Sequence, residues 1–256
     1  KPPQWRVELR KALKFERVVP DFASIGAVRS GTTSLSDYIF QHPCVALPLA
    51  KEISLGGNVY HMSSQMPSGK AMRKINSRYG MALTGFGFPV VPSLTFPSLA
   101  SAVAPDMKIV VVLRDPVERA YAHWRWDEMR MRKFRSDKLW RKYPSFDDII
   151  RLELSSITHG GPSVSTDTGA MCGGYLQHGV YVDFMKQLYA HYKRQQVLVL
   201  KSEDLFENTA QVIAQTYKFL NLPEYTPAKI TTINSVPAGY YQYNTAAEMR
   251  EFFKPL

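Results

Sequence analysis

Cysteine is nearly absent from this 256-residue chain, which carries only Cys44 and Cys172. Two thiols are too few for a disulfide framework or a cysteine-rich metal cluster, and leave one bridge or none. Long apolar runs are missing as well. No stretch approaches the roughly 20 residues a membrane span needs, and no signal peptide is visible. Asn58, Asn76, Asn208, Asn221, Asn234 and Asn244 all lack the third-position Ser or Thr of a glycosylation acceptor, which weighs mildly against a secretory origin. Acid is in deficit: 22 Asp and Glu face 32 Lys and Arg, a net charge of +10. That balance suits an anionic partner such as a nucleotide, a polyanion, nucleic acid or an acidic membrane, although a generally solvated basic surface explains it equally. The chain opens KPPQWRVELRKALKF without a methionine, which leaves room for a membrane anchor or leader upstream of residue 1.

What is present alternates short apolar runs with helical periods, and no internal repeat interrupts the pattern. Such alternation predicts one α/β domain with a central parallel sheet and helices on both faces. FASIGAV (22–28) reads as a buried strand, KIVVVL (108–113) as a β-branched strand suited to the middle of the sheet, and QVLVL (196–200) as a third. Helices are predicted after the first strand, with Thr32 or Thr33 as its cap and Leu35, Tyr38 and Ile39 on one side, and after the second, with Asp115 as cap and Pro116 in the first turn. Further helices are expected over SFDDIIRLEL, where Ser145 and Asp148 resemble a capping box, VYVDFMKQLYAHYKR and NTAQVIAQTYKFLNLP. The domain is expected to cover residues 1–256, with 1–20 as an N-terminal extension and 125–174 as an inserted basic helix and Gly/Ser-rich loop.

The loop GAVRSGTT nearly spells the triphosphate motif G-x-x-x-x-G-K-[ST], but Thr32 stands where lysine should be. Without that lysine, triphosphate chemistry lacks the cation that reaches the β- and γ-phosphates. A strand, a Gly-containing loop and a helix N-terminus still bind an anion through backbone N–H groups. Arg29 adds a guanidinium fork suited to a tetrahedral oxyanion. Arg114 follows the second strand in the same way, so two arginines and two helix N-termini are expected at one sheet edge, facing a ligand with two separated anionic groups. A structural ion pair of Arg114 with Asp115 or Glu118 is the alternative.

RSGTTSL…QHP, then Lys51 and Glu52, then LRDPVERAYAHW resemble in order and spacing the sulfotransferases that use 3′-phosphoadenosine 5′-phosphosulfate (PAPS), most closely the carbohydrate type and its bacterial relatives. The resemblance runs from about Phe22 to the C-terminus and implies their P-loop-like fold, with PAPS as co-substrate and no metal. It implies that Arg29, Ser30, Gly31, Thr32 and Thr33 hold the 5′-phosphosulfate and that Arg114 binds the 3′-phosphate. Many members carry a serine where Ala122 stands, so one hydrogen bond to the 3′-phosphate is missing, worth about 1 to 2 kcal/mol unless another group compensates.

Glu52 is the candidate general base, since the attacking hydroxyl must lose its proton as it bonds to sulfur. Lys51 and Arg29 would stabilise charge on the transferring group. His61 and His123 are rival bases. The basic run from Trp124 through Arg125 and Arg130 to Tyr143 offers contacts for an anionic saccharide, and equally reads as an exposed helix covering apolar surface; nucleic acid is not expected as a partner. The carbohydrate resemblance favours the Golgi lumen, with bacterial cytoplasm open. A tyrosine, small-alcohol or natural-product acceptor, a P-loop kinase or nucleotidase, and a non-catalytic polyanion-binding module are the competing readings.

Overall fold

The computed structural model describes residues 18–49, 52, 65–91, 94–134, 144–159 and 174–230, with Trp5, Glu8, Leu9 and Ala12. Five strands are described: β1 (Phe22–Ala27), β2 (Val45–Ala46), β3 (Leu83–Val91), β4 (Lys108–Leu113) and β5 (Val197–Lys201). They lie in the order β2-β3-β1-β4-β5, and every pairing is parallel. The described helices are α1 (Thr32–Phe40), α2 (Gly69–Tyr79), α3 (Phe96–Val103), α4 (Pro116–Phe134), α5 (Phe146–His159), α6 (Tyr181–His191), α7 (Ser202–Glu207) and α8 (Thr209–Leu220). Parallel neighbours need crossover connections, which is why helices separate the strands and cover both faces.

The two-residue period of a strand divides the core. Ile109 and Val111 of β4 join Ala23 and Ile25 of β1 on one face, against Phe96 of α3 and Phe184 and Leu188 of α6. Val110 and Val112 turn the other way, with Phe22, and meet Leu35 and Ile39 of α1 and Val212, Ile213 and Tyr217 of α8. Each fully buried side chain of this kind contributes about 1.5 to 3 kcal/mol of burial energy, so β1 and β4 are fixed in the middle of the molecule. A third cluster, Tyr121, Trp124, Phe146, Ile149, Ile150 and Tyr175, holds α5 and the start of the Gln177–Gly179 turn against α4.

The expected strands and helices are present, with three differences. Leu83–Val91, which contains Gly85, Gly87 and Pro89, is a strand paired to β1 that is not among the expected ones. A Cβ at position 85 would lie 2.4 Å from the Phe22 carbonyl oxygen, so glycine there permits close strand approach. The first helix is capped by neither Thr32 nor Thr33: its N-cap is Gly31, with no side-chain cap bond. The third difference is at residue 125, which falls within the continuous helix α4 rather than at the border of an insertion. Residues 160–173, Cys172 among them, lie outside the described set, and Cys44 is a buried free thiol.

Candidate active site

β1 and β4 run side by side and end at the same edge, which brings their following loops together. After β1 the backbone turns sharply: Arg29 has φ 69° and Gly31 φ 89°. A left-handed arginine costs on the order of 1 kcal/mol and is held only where the surroundings fix it. Gly31 meets a second restriction, because a Cβ there would come within 2.9 Å of Leu205 and Phe206 side-chain atoms. The loop delivers the chain into α1 with no acidic side chain in the first turn. The leading N–H groups of a helix have no intrahelical acceptors and carry a partial positive charge. Ser30 lies beside them, fully buried, with a hydroxyl that has no hydrogen-bond partner among the described residues; the hydroxyls of Ser24 and Ser202 share that condition. A buried hydroxyl without a partner at a helix N-terminus fits an oxyanion acceptor.

The β4 loop is built differently. Asp115 Oδ1 accepts from the N–H groups of Val117 (3.0 Å) and Glu118 (3.1 Å), so the N-terminus of α4 is closed by the chain's own carboxylate. The first N–H groups of α4 therefore meet the expected Asp115 cap, and Arg114 brings the guanidinium of this loop. Its Nη1 donates to the Arg29 carbonyl oxygen at 3.2 Å, tying the two loops together. Nη2 reaches Glu118 at 3.4 Å, a partly exposed pair that contributes little by itself. Tyr181 Oη donates to the Arg114 carbonyl at 2.8 Å, and Glu203 accepts from Asp115 N at 3.1 Å. The backbone that carries Arg114 is thus fixed from α6 and α7.

The sulfotransferase domain family matches residues 20–236. This chain belongs to that family. It is 24% identical over 216 residues to bifunctional heparan sulfate N-deacetylase/N-sulfotransferase 1 of Caenorhabditis briggsae, a match covering 82% of this chain and 23% of that protein. It is also 24% identical over 273 residues to human carbohydrate sulfotransferase 15, covering 87% of this chain and 47% of the relative. The chain therefore spans about a quarter to a half of the length of these relatives. A solved sulfotransferase from Alicyclobacillus acidocaldarius superposes with a TM-score of 0.55 at 22% identity, covering 93% of this chain and 92% of that one, which establishes the fold.

The remaining expected residues fall into three groups. Lys51 and His61 lie outside the described residues, and Glu52 is exposed. Trp124 and Arg125 are corrected: Trp124 is 5% exposed, stacks on Tyr121 and donates from Nε1 to the Pro144 carbonyl at 3.2 Å, while Arg125 is 7% exposed and bonded to Glu128. Both serve packing of α4, and the aromatic surface expected for a sugar ring is absent at position 124. Arg130 alone of the three is exposed. His123 is buried, and desolvation together with the nearby Arg119 charge drives its imidazole down to about 2. A ring so resistant to taking a proton is a poor general base near neutrality.

Sequence reasoning overlooked a buried polar column on α4. Arg119, His123 and Asp127 recur every fourth residue, a spacing visible in the sequence that places them on one helix face. Arg119 is fully buried and donates to the Tyr175 carbonyl, and Tyr175 Oη donates to Asp127 Oδ2 at 3.0 Å. Glu153 of α5 accepts from the N–H groups of Tyr175 (2.9 Å) and Leu176 (2.8 Å). Trp126, next to this column, lies under the Arg29 guanidinium at 4.5 Å. Among the described residues no group of His, Cys, Asp and Glu is arranged to hold a metal ion.

Proposed function

We propose that this chain transfers a sulfuryl group from PAPS to a hydroxyl of an anionic carbohydrate. The observation that carries the reading is the Arg114 bond to the Arg29 carbonyl, which sets two guanidinium-bearing loops side by side at the carboxyl edge of a parallel sheet. The Arg29 to Thr33 loop, with the N-terminus of α1 and the Ser30 hydroxyl, suits the 5′-phosphosulfate. Arg114 suits the 3′-phosphate. A donor with two such groups supplies an activated sulfur and a phosphate leaving group.

In this reading Glu52 takes the acceptor's proton as the acceptor oxygen bonds to sulfur. The bond from sulfur to the 5′-phosphate oxygen breaks in line, and Arg29 and Lys51 stabilise charge on the departing oxygen. Arg130 on the exposed side of α4 supplies a cation for an acidic saccharide. The carbohydrate-directed names of the two relatives support that acceptor class. Because one of them is an N-sulfotransferase, a sugar amine is the competing acceptor. A Golgi lumen location belongs to the same reading; among the described residues no helix is long and apolar enough to cross a membrane.

Transfer of radiolabelled sulfate from PAPS, assayed across polysaccharides with free hydroxyls, polysaccharides with free amines, phenols and peptides, tests the assignment. Label on a hydroxyl-bearing polysaccharide supports it. Label confined to phenols or peptides overturns the acceptor class.

A further inference from the structure

Arg29 is held at both of its ends by one structural unit, the strand β4 and the helix that follows it. Its main chain sits at φ 69°, a left-handed conformation that a non-glycine residue keeps only where its surroundings fix it. Arg114, directly after β4, donates Nη1 to the Arg29 carbonyl oxygen at 3.2 Å. The side chain meets α4: the Arg29 guanidinium carbon lies over the Trp126 ring, 4.5 Å from its centroid. That separation is well inside the roughly 6 Å over which an aromatic face attracts a cation, and indole is the strongest aromatic side chain in this role.

The sequence places Trp126 on a fixed surface. Arg119, Ala122, His123, Trp126, Asp127 and Arg130 recur at spacings of three and four residues, so they share one face of α4. The helix beneath that face is tied down. Arg119 donates to the Tyr175 carbonyl, Tyr175 Oη donates to Asp127 Oδ2 at 3.0 Å, and Trp124 packs on Tyr121 and Phe146. Trp126 itself is half-buried, as is Arg29, so the pair lies between core and solvent.

The chemistry of this contact suits a ligand-binding arginine. A carboxylate that holds an arginine takes up N–H donors and cancels charge. A ring face does neither, because the N–H groups lie in the guanidinium plane and point away from its faces. An arginine side chain also has many rotamers, and fixing them when a ligand arrives costs affinity. A ring that restrains the guanidinium beforehand removes part of that cost and leaves the donors for an oxyanion.

We infer that Trp126 is a positioning residue whose ring face holds the Arg29 guanidinium in place for the 5′-phosphosulfate of the donor. The inference rests on the donor reading proposed above. Trp126 touches no reacting atom; it acts through Arg29, so its effect depends on that side chain being present.

A double-mutant cycle read by calorimetry with 3′-phosphoadenosine 5′-phosphate tests this dependence, using the full chain as wild type, Trp126→Leu, Arg29→Ala and the double variant. Trp126→Leu keeps an apolar side chain without a ring face. It is expected to weaken binding about fivefold in the wild-type background and less than about 1.5-fold in the Arg29→Ala background. Trp126→Phe, which keeps a weaker aromatic face, is expected to weaken binding only about twofold. With labelled PAPS, Trp126→Leu should lower kcat for transfer while leaving the KM for acceptor unchanged; a raised acceptor KM with kcat intact overturns the proposal. Equal losses in both backgrounds mark a general structural role and overturn it, as does tighter binding by Trp126→Leu. If Trp126→Leu does not fold, Trp126→Phe carries the cycle: a loss of about twofold confined to the background that retains Arg29 supports the proposal, and an equal loss or none in both overturns it. Failure of the wild type to bind 3′-phosphoadenosine 5′-phosphate removes the donor reading and the positioning proposal with it. Binding by the wild type with no change in Trp126→Leu removes the positioning alone.

Discussion

Two loops leave the same sheet edge, each with a strand before it, an arginine in it and a helix after it, yet they are finished in opposite ways. After β1, Gly31 opens α1 without a side-chain cap and the Ser30 hydroxyl is buried without a partner. After β4, the Asp115 carboxylate occupies the N-terminus of α4. The first loop can meet an anion with backbone dipoles as well as a guanidinium; the second has its guanidinium alone. The sheet edge is thus polarised: an uncapped helix N-terminus with a guanidinium lies beside a capped one with a guanidinium. A donor carrying a reacting phosphosulfate at one end and an inert phosphate at the other matches that asymmetry.

Arg29→Ala should have the largest effect, because it strips the first loop of its cation. Transfer is expected to fall at least about 100-fold, a loss comparable to removing one oxyanion donor, measured with labelled PAPS at saturating acceptor. Arg114→Ala strikes the other side. Affinity for 3′-phosphoadenosine 5′-phosphate should drop about 30-fold, as for a charge-assisted contact, while affinity for adenosine 5′-phosphosulfate, which has no 3′-phosphate, changes by less than about twofold. Equal losses for both ligands would contradict the division of labour.

Gly31→Ala tests the conformation of the first loop. The added Cβ meets the Leu205 and Phe206 side chains at a backbone angle unfavourable to alanine, so thermal unfolding should report a loss of about 1 to 2 kcal/mol. Asp115→Ala removes the cap of the second loop and should destabilise by about 1 kcal/mol in the same assay, with no gain in anion affinity if Arg114 alone serves the 3′-phosphate. Ala122→Ser is the gentlest change. The serine that the sulfotransferase resemblance leads one to expect there should tighten 3′-phosphoadenosine 5′-phosphate binding about fivefold, the equivalent of one hydrogen bond.

Much of this was legible in the sequence, for local reasons. KIVVVL announces a buried strand because its β-branched run has no polar break, and Asp115-Pro116 marks a helix start because cap and first-turn chemistry depend on neighbouring residues alone. β3 was hidden because Gly85, Gly87 and Pro89 are the residues that usually interrupt strands, and only the proximity of β1 shows why one of those glycines is required. The placement of Trp124 failed for a similar reason. A basic run interleaved with aromatics reads as a surface until Tyr121 and Phe146 are seen to enclose the ring. The polar column could be counted at four-residue spacing, but its partner Tyr175 lies 48 residues beyond Asp127 and is joined to it only by the fold.

Calorimetry comparing 3′-phosphoadenosine 5′-phosphate with ATP and Mg²⁺ decides whether the loop after β1 holds a phosphosulfate donor or a triphosphate. Tight binding of the first and none measurable of the second is expected, because Thr32 stands where triphosphate loops carry lysine. Binding of ATP with Mg²⁺ and none of 3′-phosphoadenosine 5′-phosphate would contradict it.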